Sequence, residues 1–237
     1  ISAFENEKVI FDGGLPLNPN GFSPTTTNLD GRIKDEMVGK IFAMKVWDSK
    51  LDILLSKPNV HLSMDDKLLH FSRYPNEGYV RIDTATIDIS VENGEGNIET
   101  PAGAAFKLSS DFTYNKDVWE AEIQRNGKVA ISGYFATDAY KESGLTLASS
   151  KYEAEKLRLA SEVTFGFASE TDYPRGYFTH ILYELDRPGE WYYDNAESIL
   201  YLYPRTPITS SSNLRLCYGP QFLVLNGTQN VSVERLT

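Results

Sequence analysis

The chain has 237 residues, 41% hydrophobic and 12% aromatic, enough for one large buried core or two small ones and too apolar for a disordered chain. Its 33 acidic residues outweigh 23 basic ones for a net charge of −10, and no Lys or Arg cluster forms a basic stripe, so neither nucleic acid nor an anionic membrane is an expected partner. No apolar run approaches the ~20 residues of a bilayer span, and the single cysteine, Cys217, excludes an internal disulfide framework and a cysteine-built zinc site.

In chain order, the sequence begins Ile1-Ser2 with neither an initiator Met nor a signal peptide, which reads as a processed or excised segment. "LPLNPNGFSPTTTN", Leu15–Asn28, is rich in turn residues and is expected to link a short opening strand to the body. Lys34–Val38 suits a single helical turn, and Lys40–Val46 alternates apolar and polar residues as a strand does. Trp47, Leu51, Leu54 and Leu55 follow i, i+4, i+7, i+8 spacing, which predicts a short helix stopping at Lys57-Pro58. Asp65-Asp66-Lys67 predicts a hairpin turn, with further strands over Tyr79–Ile82 and Ile87–Val91. "ENGEGN", Glu92–Asn97, is acidic but lacks the ordered ligand series of a calcium loop, so a solvated turn is expected. Val129–Gly133, Lys156–Leu159 and Ile199–Tyr203 alternate at period two, and Ser150–Leu159 is read as the entry to a strand despite its capping-box spacing. The expected class is all-β, a barrel- or sandwich-like body with few short helices. His61, His70 and His180 are scattered without metal-ligand spacing, so no metal and no cofactor are expected.

"ELDRPGEWYYD", Glu184–Asp194, holds four carboxylates and three aromatics in eleven residues. Arg187-Pro188-Gly189-Glu190 is a type II turn signal, because proline presets φ at the second position and glycine supplies the positive φ at the third. A hairpin around it would set Asp186 opposite Trp191 and Glu184 opposite Tyr193, and a second turn at Asn195–Ser198 would return the chain through Ile199–Tyr203 as a three-stranded meander. Glu184 and Asp186, two apart on a strand and so roughly 6.5–7 Å apart, have a spacing that glycosidic hydrolysis permits. The plainer role is framework: carboxylates accepting backbone N–H groups while the rings pack on the sheet.

Sugar rings stack on aromatic faces, which makes Trp119, Trp191 and Tyr192 the candidate carbohydrate-binding residues among 14 Tyr and 3 Trp. Trp191 is the one expected to be packed instead. Asn226-Gly227-Thr228 and Asn230-Val231-Ser232 fit the glycosylation acceptor pattern, which makes Asn226 and Asn230 the candidate sites.

Several of these segments together resemble the right-handed parallel β-helix proteins of the carbohydrate-active type, related to polysaccharide lyases and glycoside hydrolases, in which a β-rich insertion interrupts the early rungs. "AFENEKVIFDGGLPL", Ala3–Leu17, is similar to an early rung closed by a Gly-Gly turn, and "FLVLNGTQNVSVERLT", Phe222–Thr237, to the return to the helix. "FSRYPNEGYVRI", Phe71–Ile82, resembles an insertion motif, as do "ISGYF", Ile131–Phe135, and "LDRPGEWYYD" with "LYLYP". The resemblance implies a partial rung over 1–15, an insertion domain over 16–219 and a returning rung over 220–237. It further implies a secreted, extracellular protein whose partners are a polysaccharide or glycan and further β-helix rungs. Solenoid coils are stable only when several stack, so the catalytic acids are expected on rungs outside this chain and no catalytic residue is assigned. The alternative is a non-catalytic structural protein that assembles through open β-helix edges.

Overall fold

The computed structural model describes residues 14–57, 60–87, 91–92, 98–135, 143–148, 156–162, 167, 174–218 and 226–234. Most of the expected rungs, over 1–13, 220–225 and 235–237, lies outside them, as do 88–90 of one expected strand, 93–97 of the acidic loop and 150–155. The all-β class holds: two large sheets dominate, with two short α-helices among the described residues. No parallel coil occurs among the described residues, whose strands pair antiparallel except at one position.

The first sheet has eight strands, in the order Gly14–Leu17, Leu214–Cys217, His61–Met64, Lys67–Phe71, Glu190–Asp194, Ile199–Tyr203, Phe42–Lys45 and Ser23–Pro24. Leu15–Asn28 is therefore no linker, since strands within it form the two opposite edges of this sheet. At the centre, Glu190–Asp194 is buried along its whole length. Alternation sends Trp191 and Tyr193 into a core with Leu62, Leu200 and Leu216, while Tyr192 joins Ile33, Ile41, Leu182 and Tyr201 on the other face. The helix Ser49–Leu55 seals the first core with Leu55, its start capped by the Asp48 carboxylate on the N–H groups of Lys50 and Leu51. Trp47 falls outside this helix and is 85% exposed.

The second sheet closes on itself. Ala130–Tyr134, Ser143–Ala148, Leu157–Leu159, Ala105–Leu108, Val80–Asp83 and Arg175–Thr179 pair in sequence, and Arg175–Thr179 pairs back to Ala130–Tyr134, making a ring of six antiparallel strands with Arg73–Tyr74 attached. Its interior is filled by Val80, Phe106, Ile131, Leu147 and Phe178. One helix, Lys116–Asn126, plugs it with Trp119 and Ile123. Asn115 caps the start of that helix, and Gly127, at φ 58°, ends it in a left-handed turn. A ring this small must bend sharply, and Gly133 and Gly176 face each other in register where it does. A Cβ on Gly133 would lie 2.1 Å from the Arg175 carbonyl oxygen and 2.5 Å from the Gly176 Cα, contacts with backbone that no rotamer relieves.

The two bodies meet across a seam of buried charge. Asp194, 0% exposed, accepts from Arg32 Nη2 at 2.8 Å and Arg125 Nε at 3.0 Å, and its other oxygen takes the N–H groups of Ala196 and Glu197. Beside it, Glu122 of the plugging helix accepts from the Tyr192 hydroxyl and from Arg32.

The strand contact at Gly133 can be tested by a single methyl group. Gly133→Ala is expected to lower stability by about 1–3 kcal/mol, the range for forced overpacking, in urea unfolding. Gly144→Ala on the neighbouring strand, whose Cβ would meet only Ser132 Oγ at 3.4 Å, is expected to be tolerated.

Candidate functional site

A cleft of about 590 Å³ opens between the two bodies, within the ~300–1,000 Å³ typical of small-ligand sites. The first sheet contributes His61, Leu69, His70 and Phe71, and the barrel side contributes Arg73, Asn76, Tyr177 and Thr179. The turn Arg187–Glu190 forms one rim, with Arg205 beside it.

The predicted turn is present. Glu190 N–H donates to the Arg187 carbonyl at 3.3 Å, and Gly189 sits at φ 97°. The strand before it is not. Leu182–Glu184 is a 3₁₀ turn, and the edge of Glu190–Asp194 that a hairpin would occupy is taken by Lys67–Phe71 in parallel, pairing Glu190 with His70 and Trp191 with Phe71. Two backbone bonds lock the turn there: Gly189 N–H to the Tyr203 carbonyl at 2.7 Å and His70 N–H to the Gly189 carbonyl at 3.0 Å. The second half of the meander, Glu190–Asp194 against Ile199–Tyr203, pairs antiparallel as expected.

Three of the four carboxylates of Glu184–Asp194 are framework. Glu184 accepts from Trp119 Nε1 at 2.8 Å and from Lys34 at 3.2 Å, and Asp186 accepts from Lys34 and from Asn76 Nδ2 at 2.7 Å. Burial raises the Glu184 pKa, and the Lys34 charge and the indole N–H oppose it. Burial by itself would lower the Lys34 pKa, but the Asp186 and Glu184 carboxylates outweigh that and raise it. Asp194 belongs to the seam. Only Glu190 turns to the cleft, its carboxylate taking the Arg187 N–H at 3.2 Å. Burial pushes this group up to about 8, against the opposing Arg187 N–H, so at neutral pH it carries a proton.

The arginines differ in how they are held. Arg73 lies over the Tyr177 ring at 3.9 Å and donates to the Gly78 carbonyl at 2.7 Å, while its Nε has no partner. Arg187 donates to the Asn76 carbonyl and to Glu77 at 2.6 Å. Arg205 packs its guanidinium onto Gly189 so closely that a Cβ there would lie 2.2 Å from Nε. Among the described residues, neither Arg73 nor Arg205 has a carboxylate partner. His61 and His70, nine residues apart, both line the cleft, because the hairpin at Asp65-Asp66 sets their strands side by side. His180 stacks behind them on Phe71 at a centroid distance of 4.0 Å, and desolvation holds its pKa down to about 4, so it adds no charge at neutral pH. No group of three or more metal-ligating side chains occurs among the described residues.

Trp119, Trp191 and Tyr192 are 0%, 1% and 0% exposed, each committed to a core rather than offering a face to a sugar. Trp119 is packed by Tyr74, Tyr114 and Phe178. Of the three tryptophans only Trp47 lies open to solvent. Asn226 and Asn230 are both exposed.

No protein-family model matches the chain, and no curated protein does. A solved structure described as a glycoside hydrolase matches it in fold, with a TM-score of 0.52 at 16% sequence identity. The match covers 89% of this chain and 32% of the other, so the chain spans about a third of that protein's length.

The protonated Glu190 makes stability depend on pH. The unfolded chain releases this proton near 4.5 and the folded one near 8, so Glu190's contribution is complete below about pH 4.5 and is lost as pH rises to about 8. Glu190→Gln, which cannot ionise, is therefore expected to gain on the native protein by on the order of a few kcal/mol between about pH 5 and pH 9. Melting curves across that range would check it, and parallel pH profiles for the two proteins would contradict it.

Proposed function

We propose that the chain is the β-rich, glycan-contacting segment of a larger secreted protein that acts on or binds polysaccharide, inserted into a parallel β-helix whose rungs carry the chemistry. The observation that carries this reading is the fold match over 89% of this chain to a protein described as a glycoside hydrolase, of which it takes up 32%. The sheet supports the insertion. Its strands Gly14–Leu17 and Leu214–Cys217, the first and last in chain order among the described residues, pair with Gly14 against Cys217, so the chain enters and leaves this sheet side by side. Hydrolysis of a glycosidic bond ordinarily needs two carboxyl groups flanking it, and Glu190 is the sole carboxyl among the described residues lining the cleft. The cleft thus suits binding, with cleavage assigned elsewhere in the protein. The exposure of Asn226 and Asn230 suits acceptors of N-linked glycans in a secreted chain.

The chain as given is expected to bind at least one oligosaccharide in a panel of plant, algal and animal glycans, followed by calorimetry, and to release no reducing ends from it. Absence of binding across the panel, or cleavage by the chain alone, would overturn the reading.

A further inference from the structure

We infer that the cleft selects an anionic sugar, one bearing a carboxylate or a sulfate ester, through the guanidinium groups of Arg73, Arg187 and Arg205. This rests on the glycan-binding reading above and gives it a substrate class.

The first argument is charge. A chain of net charge −10 gathers three arginines around one cleft that contains a single carboxyl group. Like charges brought together in this way repel, and neither Arg73 nor Arg205 meets a carboxylate among the described residues that would offset the repulsion. Arg187 meets one, Glu77, in an exposed pair at the rim. Such surface pairs contribute little and are readily exchanged for a ligand.

The second argument is what the cleft lacks. A neutral sugar is ordinarily gripped by stacking on an open aromatic face, and both rings here are already covered. Phe71 is flanked by His180 at 4.0 Å and Trp191 at 4.4 Å, while Tyr177 carries the Arg73 guanidinium on its ring and Tyr79 at 6.0 Å. Recognition therefore falls to hydrogen-bond donors. A guanidinium presents its donors in a planar fork that matches a carboxylate or a sulfate with two parallel bonds.

The third argument is preorganisation. Stacking on Tyr177 and the bond to the Gly78 carbonyl fix Arg73 before any ligand arrives, and Gly189 leaves just the space that Arg205 occupies. Donors already held in place forfeit less entropy on binding.

Calorimetric titration of the chain with oligogalacturonate, with the same oligomer methyl-esterified, and with a chondroitin sulfate oligomer tests the inference. The acid or the sulfate ester is expected to bind at least about tenfold more tightly than the neutral ester, with affinity falling as salt rises. Which of the two binds identifies the anionic group. Arg205→Gln and Arg187→Gln, both at exposed positions, are each expected to weaken binding about tenfold with an unchanged melting temperature. Equal affinity for the charged and esterified oligomers would overturn the anionic selection and leave glycan binding standing, as would full affinity in both arginine variants. Binding of none of the three oligomers, nor of any glycan in the wider panel, would overturn both.

Discussion

A chain of charge-assisted hydrogen bonds joins the barrel interior to the rim of the cleft, and the site depends on it. It starts at the Trp119 indole, which donates to Glu184, and passes through Lys34 to Asp186 and then to Asn76, whose carbonyl accepts from Arg187. Each link places a group that the next one needs. Glu184 and Asp194 are buried deeply enough that an unpaired charge there would cost several kcal/mol. Lys34, Arg32 and Arg125 are therefore what allow the barrel core and the cores of the eight-stranded sheet to share a polar boundary. The cleft is the part of that boundary left unfilled.

Much of the architecture is written locally. Ile199–Tyr203 forms the predicted strand with the predicted limits, and the strands within Lys40–Val46 and Val129–Gly133 form close to where their alternation places them. Successive residues of a strand face opposite sides, sending Leu200 and Leu202 into one core and Tyr201 into another, so the pattern has a physical cause that a single segment can display. The turn at Arg187–Glu190 is equally legible, since proline and glycine act on their own dihedrals. The helix Lys116–Asn126 is not. It buries only Trp119, Glu122 and Ile123 into the barrel mouth, too narrow a stripe among polar residues to register as a helical period, although Asn115 and Gly127 mark its ends. The parallel pairing of Glu190 with His70 lies beyond any local signal, because the two are separated by well over a hundred residues and joined only by the completed sheet.

The candidate site is harder still to read, for a related reason. Its members come from segments spread between His61 and Arg205, and each looks unremarkable alone: two isolated histidines, an arginine before an aromatic residue, a glutamate closing a turn. Aromatic content draws attention to Trp119, Trp191 and Tyr192, yet the largest rings are the ones a core has most reason to claim, since they remove the most apolar surface from water. The useful signal is the opposite one, cationic side chains converging on a strongly acidic molecule. Composition averages that away and only geometry restores it. Glu190 carries the same lesson, as an ordinary turn residue by sequence whose burial against the sheet keeps it protonated.

The register that sets Gly14 beside Cys217 has a consequence for folding. Cα atoms of antiparallel register partners lie about 5 Å apart, so a longer polypeptide threading through this body would pay roughly the loop-closure entropy of a tight hairpin and not that of two hundred residues. A body closed in this way can collapse without waiting on any chain attached beyond it, and a mutation that melts it need not disturb that chain.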